Sequence, residues 1–168
     1  STPLHLIPLG DLVGSEKMSA EALDLAMDVY RAPGKHPIHI KKEVRRHVAN
    51  RLQAALWREA VSLVADGVVS VADADAAIAY GPGLRWALMG PHLTFHLAGG
   101  EGGMPNFMAH LAPAVQTWLD DLGNPRLADV KPVIIDGVAR ETAGRSIADL
   151  TNWPDRNRIK HLKCSGAP

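Results

Sequence analysis

The sequence has a single cysteine, Cys164, and no excess of charge of either sign. One cysteine excludes an intramolecular disulfide, and such sparing use of cysteine is typical of a reducing compartment. Eighteen lysines and arginines balance eighteen aspartates and glutamates. No basic stripe interleaved with aromatic residues is present either, so the sequence gives no indication that nucleic acid is a partner.

Long hydrophobic runs are also lacking. Residues 86–100 form a conspicuous uncharged run, but it contains Pro91 and two histidines. It is also shorter than the roughly 20 apolar residues that a membrane-spanning helix requires. Residues 1–13 lack the basic start and the apolar stretch of a signal peptide. From these absences we expect a cytoplasmic protein with no membrane partner.

Two patterns that would indicate a cofactor or a metal are incomplete. Gly81-Pro82-Gly83 has no third glycine at the spacing of a dinucleotide-binding turn, because Trp86 occupies that place. His92 and His96 would share one face of a helix, but the glutamate of a zinc hydrolase is missing between them. The glycine-rich residues 99–103 follow a helical segment, so we interpret them as an interhelical turn. We expect no metal site.

The hydrophobic periodicity changes near residue 43. Before it, the pattern predicts an extended segment over 4–13, a helix over 20–31 capped by Ser19, and a short strand over 36–41. This strand–helix–strand order is typical of the end of an α/β layer. Because two strands do not form a stable sheet alone, we expect further protein to complete it.

After residue 43 the pattern predicts helices only. Ser70, with Asp73 at the capping-box position, should begin one of them, and Pro91 and Pro154 should each begin or kink another. The predicted helices cover residues 48–66, 71–80 and about 84–98, 104–120, 126–143 and 146–162. We therefore expect a mainly α protein in two parts, residues 1–43 and residues 44–168.

The junction between these parts carries a resemblance to a known family. Lys41-Lys42-Glu43-Val44, His47-Val48-Ala49-Asn50-Arg51-Leu52, Glu59-Ala60 and Leu63-Val64 resemble the domain junction of the 3-hydroxyacyl-CoA dehydrogenase family. Residues 83–91 and 99–102 look like its branch with L-carnitine dehydrogenase and lambda-crystallin, an L-gulonate 3-dehydrogenase. Residues 2–13 are similar to the strand that follows the family's catalytic histidine. The resemblance covers residues 1–120 well and the rest loosely.

The resemblance implies a two-domain oxidoreductase that uses NAD. Residues 1–43 would be the C-terminal remnant of a Rossmann domain that binds the NAD. Residues 44–168 would be a multi-helical domain of the 6-phosphogluconate dehydrogenase C-terminal-domain-like type, which contacts substrate and forms a homodimer. A histidine–carboxylate pair would handle the hydroxyl proton of a small 3-hydroxy acid or acyl-CoA.

The family's histidine would lie before Ser1, and His5 does not replace it. We therefore expect this chain to be inactive alone. A non-catalytic helical dimerisation or structural protein derived from the family is the alternative, and a helical module that binds a small ligand is a third possibility.

The resemblance also places two candidate catalytic residues. Asn50 stands where the family has an active-site asparagine, although a helix-start asparagine bonded to local backbone would look the same. Asp11 stands where the family has the glutamate that orients the histidine, and it is one methylene shorter. A solvated loop aspartate is the alternative for this position.

Three further residues, Arg85, Trp86 and Glu101, are candidates for contact with substrate. Arg85, beside Trp86, has the guanidinium geometry to bind a carboxylate, and a surface ion pair is the alternative. Glu101, within the glycine-rich turn, could also reach substrate. The four tryptophans, Trp86 included, are more typical of core or interface positions than of substrate platforms.

Overall fold

The structure, a computed structural model, describes residues 9–13, 19–32, 34–42 and 44–151. The predictions made for residues 4–8, for His5, Trp153, Pro154 and Cys164, and for the end of the last helix lie outside the described residues. The chain divides into two compact units, one formed by residues 1–53 with 147–168 and the other by residues 54–146.

The first unit contains a parallel pair of strands joined through a helix. Strands β1 (Leu9–Val13) and β2 (His36–Ile40) pair so that Leu9 lies opposite His36. Helix α1 (Ala20–Arg31) lies between them in the chain and packs against β2. The hydroxyl of Ser19 accepts a hydrogen bond of 3.2 Å from the Ala22 N–H, which confirms the predicted cap. The expected strand–helix–strand order is therefore present.

The remaining described structure is helical, as the sequence predicts. Residues 44–151 contain no strand, which confirms the mainly α class for this part of the chain. The helices are α2 (Val48–Ala65), α3 (Val71–Ala79), α4 (Pro82–Trp86), α5 (Pro91–Ala98), α6 (Gly103–His110), α7 (Ala112–Asp121) and α8 (Leu127–Thr142). A 3-10 helix covers Gly100–Gly102, and residues 147–151 are also helical.

Two of the predicted helical stretches are divided in the structure. The stretch over 84–98 is two helices, α4 and α5, because Pro91 occupies the first turn of a new helix. Proline has no N–H to continue the preceding helix but fits the first turn of the next one. The stretch over 104–120 is likewise α6 and α7, with Pro113 in the first turn of α7.

The core of the second unit is small. Among the described residues, the buried hydrophobic side chains are those of Val61, Val64, Ala74 and Phe107. The Phe95 and Phe107 rings stack at a tilt, with centroids 5.0 Å apart, and join α5 to α6. Helices α3 and α8 contact each other, and Gly137 of α8 leaves no room for a side chain beside Val71.

Large apolar side chains remain exposed on several of the described helices. Trp57, Trp86 and Trp118 are 49%, 38% and 63% exposed, so a core position is wrong for these three tryptophans. Other exposed apolar residues are Leu52, Leu93, Leu119, Leu127 and Ile135. Exposed apolar surface of this kind usually marks an interaction face. Within the described part of the chain, no helix is both long enough and apolar enough to span a membrane.

The turn between α5 and α6 depends on its glycines. Gly103 is buried with φ of 58°, and a Cβ at this position would collide with the imidazole of His96. That imidazole accepts a hydrogen bond of 3.0 Å at Nδ1 from the Met104 N–H. The Asn106 side chain donates a hydrogen bond of 2.9 Å to the Gly99 carbonyl. The glycine-rich segment is thus an interhelical turn, as expected.

Candidate functional site

A carboxylate and an imidazole meet where β1 faces the start of α2. Asp11 lies in the middle of β1, and its Oδ2 is 2.9 Å from Nδ1 of His47. The Asp11 side chain is 10% exposed, whereas that of His47 is 74% exposed. The two residues are 36 positions apart in sequence, so the pairing of β1 with β2 is what brings them together. Asp11 is therefore held in the structure and is not a solvated loop residue.

The start of α2 fixes the position of His47. Its carbonyl accepts a hydrogen bond of 3.1 Å from the Arg51 N–H, so His47 is the last residue before the helix and closes its first turn. The preceding residue, Arg46, has φ of 72°, in the left-handed region that non-glycine residues rarely adopt. This turn of backbone directs the chain from β2 into α2.

A cavity of about 290 Å³ adjoins the Asp11–His47 pair. Asp11, His47 and Asn50 all line it, together with Val13, Ile40, Val44, Arg46 and Val48. Four polar or charged side chains and four apolar ones thus line the cavity, and polar groups that converge beside apolar ones are a feature of small-molecule sites. The volume suits a small organic acid and is at the lower end of the range of about 300 Å³ and above for ligand pockets.

Asn50 is available for a ligand in this arrangement. It lies in the first turn of α2 and is exposed. Among the described residues, its side-chain amide makes no hydrogen bond, so the alternative of an amide satisfied by neighbouring backbone does not hold there. An amide of this kind can donate to or accept from a bound oxygen without changing its charge.

The three residues expected to contact substrate all lie in the second unit. Arg85 and Trp86 are neighbours at the end of α4, and Glu101 is in the 3-10 helix that follows α5. Both Arg85 and Glu101 are exposed and belong to no ion pair among the described residues. The structure thus brings together Asp11 and Asn50, and it places the other three in a separate compact unit.

No group of three or more potential metal ligands occurs in the described ranges of the chain. His96, one of the pair considered for metal binding, uses its Nδ1 to accept the Met104 N–H.

The comparison with known proteins agrees with the junction motif. Residues 47–128 match the model of the family described as 3-hydroxyacyl-CoA dehydrogenase, C-terminal domain. Over these residues the chain is similar to the C-terminal domain of that family.

Similar curated proteins come from the branch that the residues 83–91 and 99–102 indicate. The chain is 45% identical over 154 residues to an L-carnitine dehydrogenase of Pseudomonas aeruginosa, covering 91% of this chain and 48% of that protein. It is 44% identical over 165 residues to an L-carnitine dehydrogenase of Streptomyces coelicolor, covering 98% and 52%. The chain spans about half the length of the curated relatives it matches.

A solved structure also resembles the fold. The crystal structure of 5-formyl-3-hydroxy-2-methylpyridine 4-carboxylic acid 5-dehydrogenase, an NAD+-dependent dismutase, superposes with a TM-score of 0.67 at 25% identity. It covers 98% of this chain, and the match takes in 53% of that protein. The chain described here is therefore also similar in fold to about half of a larger dehydrogenase.

Sequence reasoning did not single out His47 as a site residue. It belongs to the junction motif, but a histidine directly before a helix is also common as a solvated residue. The position of its partner, Asp11, depends on the parallel register of β1 and β2. The sequence signal for His47 was its position three residues before Asn50, because this spacing places both residues at the start of the same helix.

Proposed function

We propose that this chain forms the substrate side and the dimer-forming part of an NAD-dependent dehydrogenase of small 3-hydroxy acids or their CoA esters. The observation that carries the proposal is the cavity that the Asp11 and Asn50 side chains both line. The match of residues 47–128 to the 3-hydroxyacyl-CoA dehydrogenase C-terminal domain and the dehydrogenase names of the similar proteins support it.

The proposed division of labour follows from the chemistry of each group. The Asp11 carboxylate would orient an imidazole that removes the proton of the substrate hydroxyl. The Asn50 amide would donate to the substrate oxygen, and Arg85, Trp86 and Glu101 would contact the remainder of the substrate. Arg85 suits a carboxylate because its guanidinium can bind both oxygens.

The cofactor of the proposed reaction is NAD, which accepts a hydride from C3 of the substrate when bound. The cavity beside Asp11 is too small for a dinucleotide, and this chain has no dinucleotide-binding glycine pattern. We propose that NAD is bound mainly by a further domain of the whole protein, since the chain spans only about half of its curated relatives.

The substrate class favoured is a small zwitterionic or acidic 3-hydroxy acid of the L-carnitine type. The support is the sequence identity of 44–45% to proteins named L-carnitine dehydrogenase. A cavity of about 290 Å³ also fits a small acid better than a long acyl chain.

A homodimer through the helical part completes the proposal. The support is a groove of about 330 Å³ between α2 and α8, lined by Trp57, Leu127, Val130, Ile134 and Ile135 among others. Trp57 and Ile135 are about half exposed, and burial against a second copy would remove this apolar surface from water.

The deciding experiment is an NADH-formation assay with the whole protein that contains this chain. L-carnitine, 3-hydroxybutyrate and 3-hydroxybutyryl-CoA would be compared as substrates, with and without Asn50→Ala. We expect turnover with L-carnitine and a loss of about ten- to one-hundredfold in Asn50→Ala, the range for a hydrogen bond to a developing charge. No turnover with any of the three would contradict the proposal and favour a non-catalytic role.

A further inference from the structure

Asp11 and His47 form one of the two close contacts between a carboxylate and a basic side chain seen among the described residues. The other, Arg31 with Asp28, joins neighbouring turns of one exposed helix. By contrast, the Asp11–His47 contact joins a strand to a helix start across 36 residues of sequence. It also combines a nearly buried carboxylate with an exposed imidazole. The contact also lies in the lining of the cavity, where the imidazole can affect the geometry of the Asp11 carboxylate.

The direction of the hydrogen bond follows from the chemistry of the two groups. An ionised carboxylate has only acceptor oxygens, so Nδ1 of His47 must carry the hydrogen and donate it to Oδ2 of Asp11. No other described residue donates to the Asp11 carboxylate. One oxygen of Asp11 is therefore engaged by His47, and Oδ1 remains able to accept from a second donor.

The backbone of His47 is held at the start of α2. Its carbonyl takes part in the first turn of α2, and the unusual backbone of Arg46 precedes it. A donor attached to a helix start restricts the carboxylate to one orientation. Asp11 needs this restriction if it serves as the orienting carboxylate, because a hydrogen bond aimed at a catalytic imidazole is effective only in a narrow geometry.

We propose that His47 is a positioning residue that fixes the Asp11 carboxylate, so that Oδ1 can hold the reacting imidazole of the proposed dehydrogenase. His47 itself neither takes nor gives the substrate proton. This inference rests on the proposed function, and it assigns to His47 a role in the same site. No bond is made or broken at His47, since its contribution is a hydrogen bond present throughout the reaction.

Three substitutions of His47 separate positioning from other roles. Asparagine places an amide N–H close to where Nδ1 of histidine lies, glutamine places it close to Nε2, and phenylalanine provides no donor. In the whole protein assayed with L-carnitine and NAD, we expect His47→Phe and His47→Gln to lower kcat by about ten- to one-hundredfold with little change in KM. His47→Asn should restore most of the activity.

His39→Phe is the matched control. His39 is an exposed histidine of β2, opposite Leu12 in the register and outside the cavity lining. We expect its kcat and KM to equal those of the unsubstituted protein. Thermal unfolding of each variant, followed by circular dichroism, checks that the His47 variants are folded at the assay temperature.

A second measurement does not depend on turnover. In ¹⁵N-labelled protein, the imidazole of His47 should show a protonated Nδ1, and this signal should shift in Asp11→Asn.

If the unsubstituted protein turns over none of the substrates, the proposed function fails, and the positioning role fails with it even if the hydrogen bond is observed. If the protein is active but all His47 variants match the control, or the Nδ1 signal is unaffected by Asp11→Asn, the proposed function stands and His47 has no positioning role. If His47→Asn is as impaired as His47→Phe, then His47 acts through its second nitrogen and the positioning role is wrong.

Discussion

Arg46 adopts a backbone conformation that side chains other than glycine usually avoid. Its φ of 72° lies at the point where the chain turns from β2 toward α2, beside the cavity that Asp11 and Asn50 line. A non-glycine residue in this region costs about 1–2 kcal/mol. Strained positions of this kind cluster near functional sites, where the surrounding structure holds them in place.

Arg46→Gly should therefore stabilise the protein. Glycine removes the steric cost, while its greater freedom in the unfolded chain costs about 0.5–1 kcal/mol. We expect a net gain of about 0.5–1 kcal/mol in the free energy of unfolding, measured by urea denaturation. Arg45→Gly is the neighbouring control, because Arg45 does not have a positive φ. A stabilisation of equal size in both variants would show that the backbone of Arg46 is not the cause.

At the scale of single elements, local hydrogen bonds from a serine cap the starts of α1 and α3. Ser70 accepts a hydrogen bond of 3.1 Å from the Asp73 N–H, and its hydroxyl donates to the Asp73 carboxylate at 2.6 Å. The cap of α1 at Ser19 follows the same rule. These residues satisfy N–H groups that the helix itself leaves without partners.

Ser70→Ala should lower the stability of the protein through α3. The loss of the cap leaves the Asp73 N–H without its side-chain acceptor, and we expect a decrease of about 1 kcal/mol in the free energy of unfolding. Chemical denaturation would measure it. Ser70→Asn, which restores an acceptor at the same place, should recover most of the loss, and failure to do so would mean that the hydroxyl acts in another way.

The stability of α1 should depend on pH through Glu21. A hydrogen bond from its own backbone N–H, and then one involving the Ser19 side chain, lower the pKa of Glu21 from its ordinary value of 4.5. A carboxyl whose pKa is lowered on folding contributes stability above its unfolded pKa and loses it as the pH falls through the folded value. Glu21→Gln should thus lower Tm at pH 7, and the decrease should be smaller at pH 3 than at pH 7. A Tm difference of the same size at both pH values would contradict this.

Local signals explain why the elements could be predicted and where the prediction failed. Ser19 and Ser70 mark helix starts by side-chain chemistry, and both were predicted correctly. The start of α5 at Pro91 agrees with the prediction that this proline begins or kinks a helix, whereas the break at Leu111, before Pro113, was not predicted. A proline by itself does not decide between a kink and a new helix, because it is compatible with both.

At the scale of the whole molecule, the candidate site depends on contacts between residues that are distant in sequence. Asp11 and Asn50 could be chosen as candidates from the family resemblance, but their common cavity required the parallel pairing of β1 and β2. The role of His47 needed the same register. The exposed tryptophans were likewise beyond sequence reasoning, since an apolar residue has the same pattern in a core and at an interface.

Self-association should depend on the groove between α2 and α8. Ile135→Lys places a charge on the exposed apolar surface that lines this groove, and we expect it to weaken the proposed homodimer by at least tenfold in Kd. Analytical ultracentrifugation over a range of concentrations would measure it. Asp136→Lys introduces the same side chain at the next residue, which is exposed and outside the groove, and should leave Kd unchanged. Equal effects would mean that charge alone, and not the apolar groove, governs association.

The turn between α5 and α6 has a consequence for how this chain can diverge during evolution. Gly103 combines a positive φ with the ring of His96 at the position that a Cβ would occupy, so any other amino acid at this position meets two independent penalties. Gly100 has a similar φ of 61° but open space around it, and asparagine tolerates that backbone. A saturation library selected for folding should therefore retain glycine alone at position 103 and admit asparagine at position 100. Two glycines in one short turn would therefore differ in the substitutions that each position tolerates.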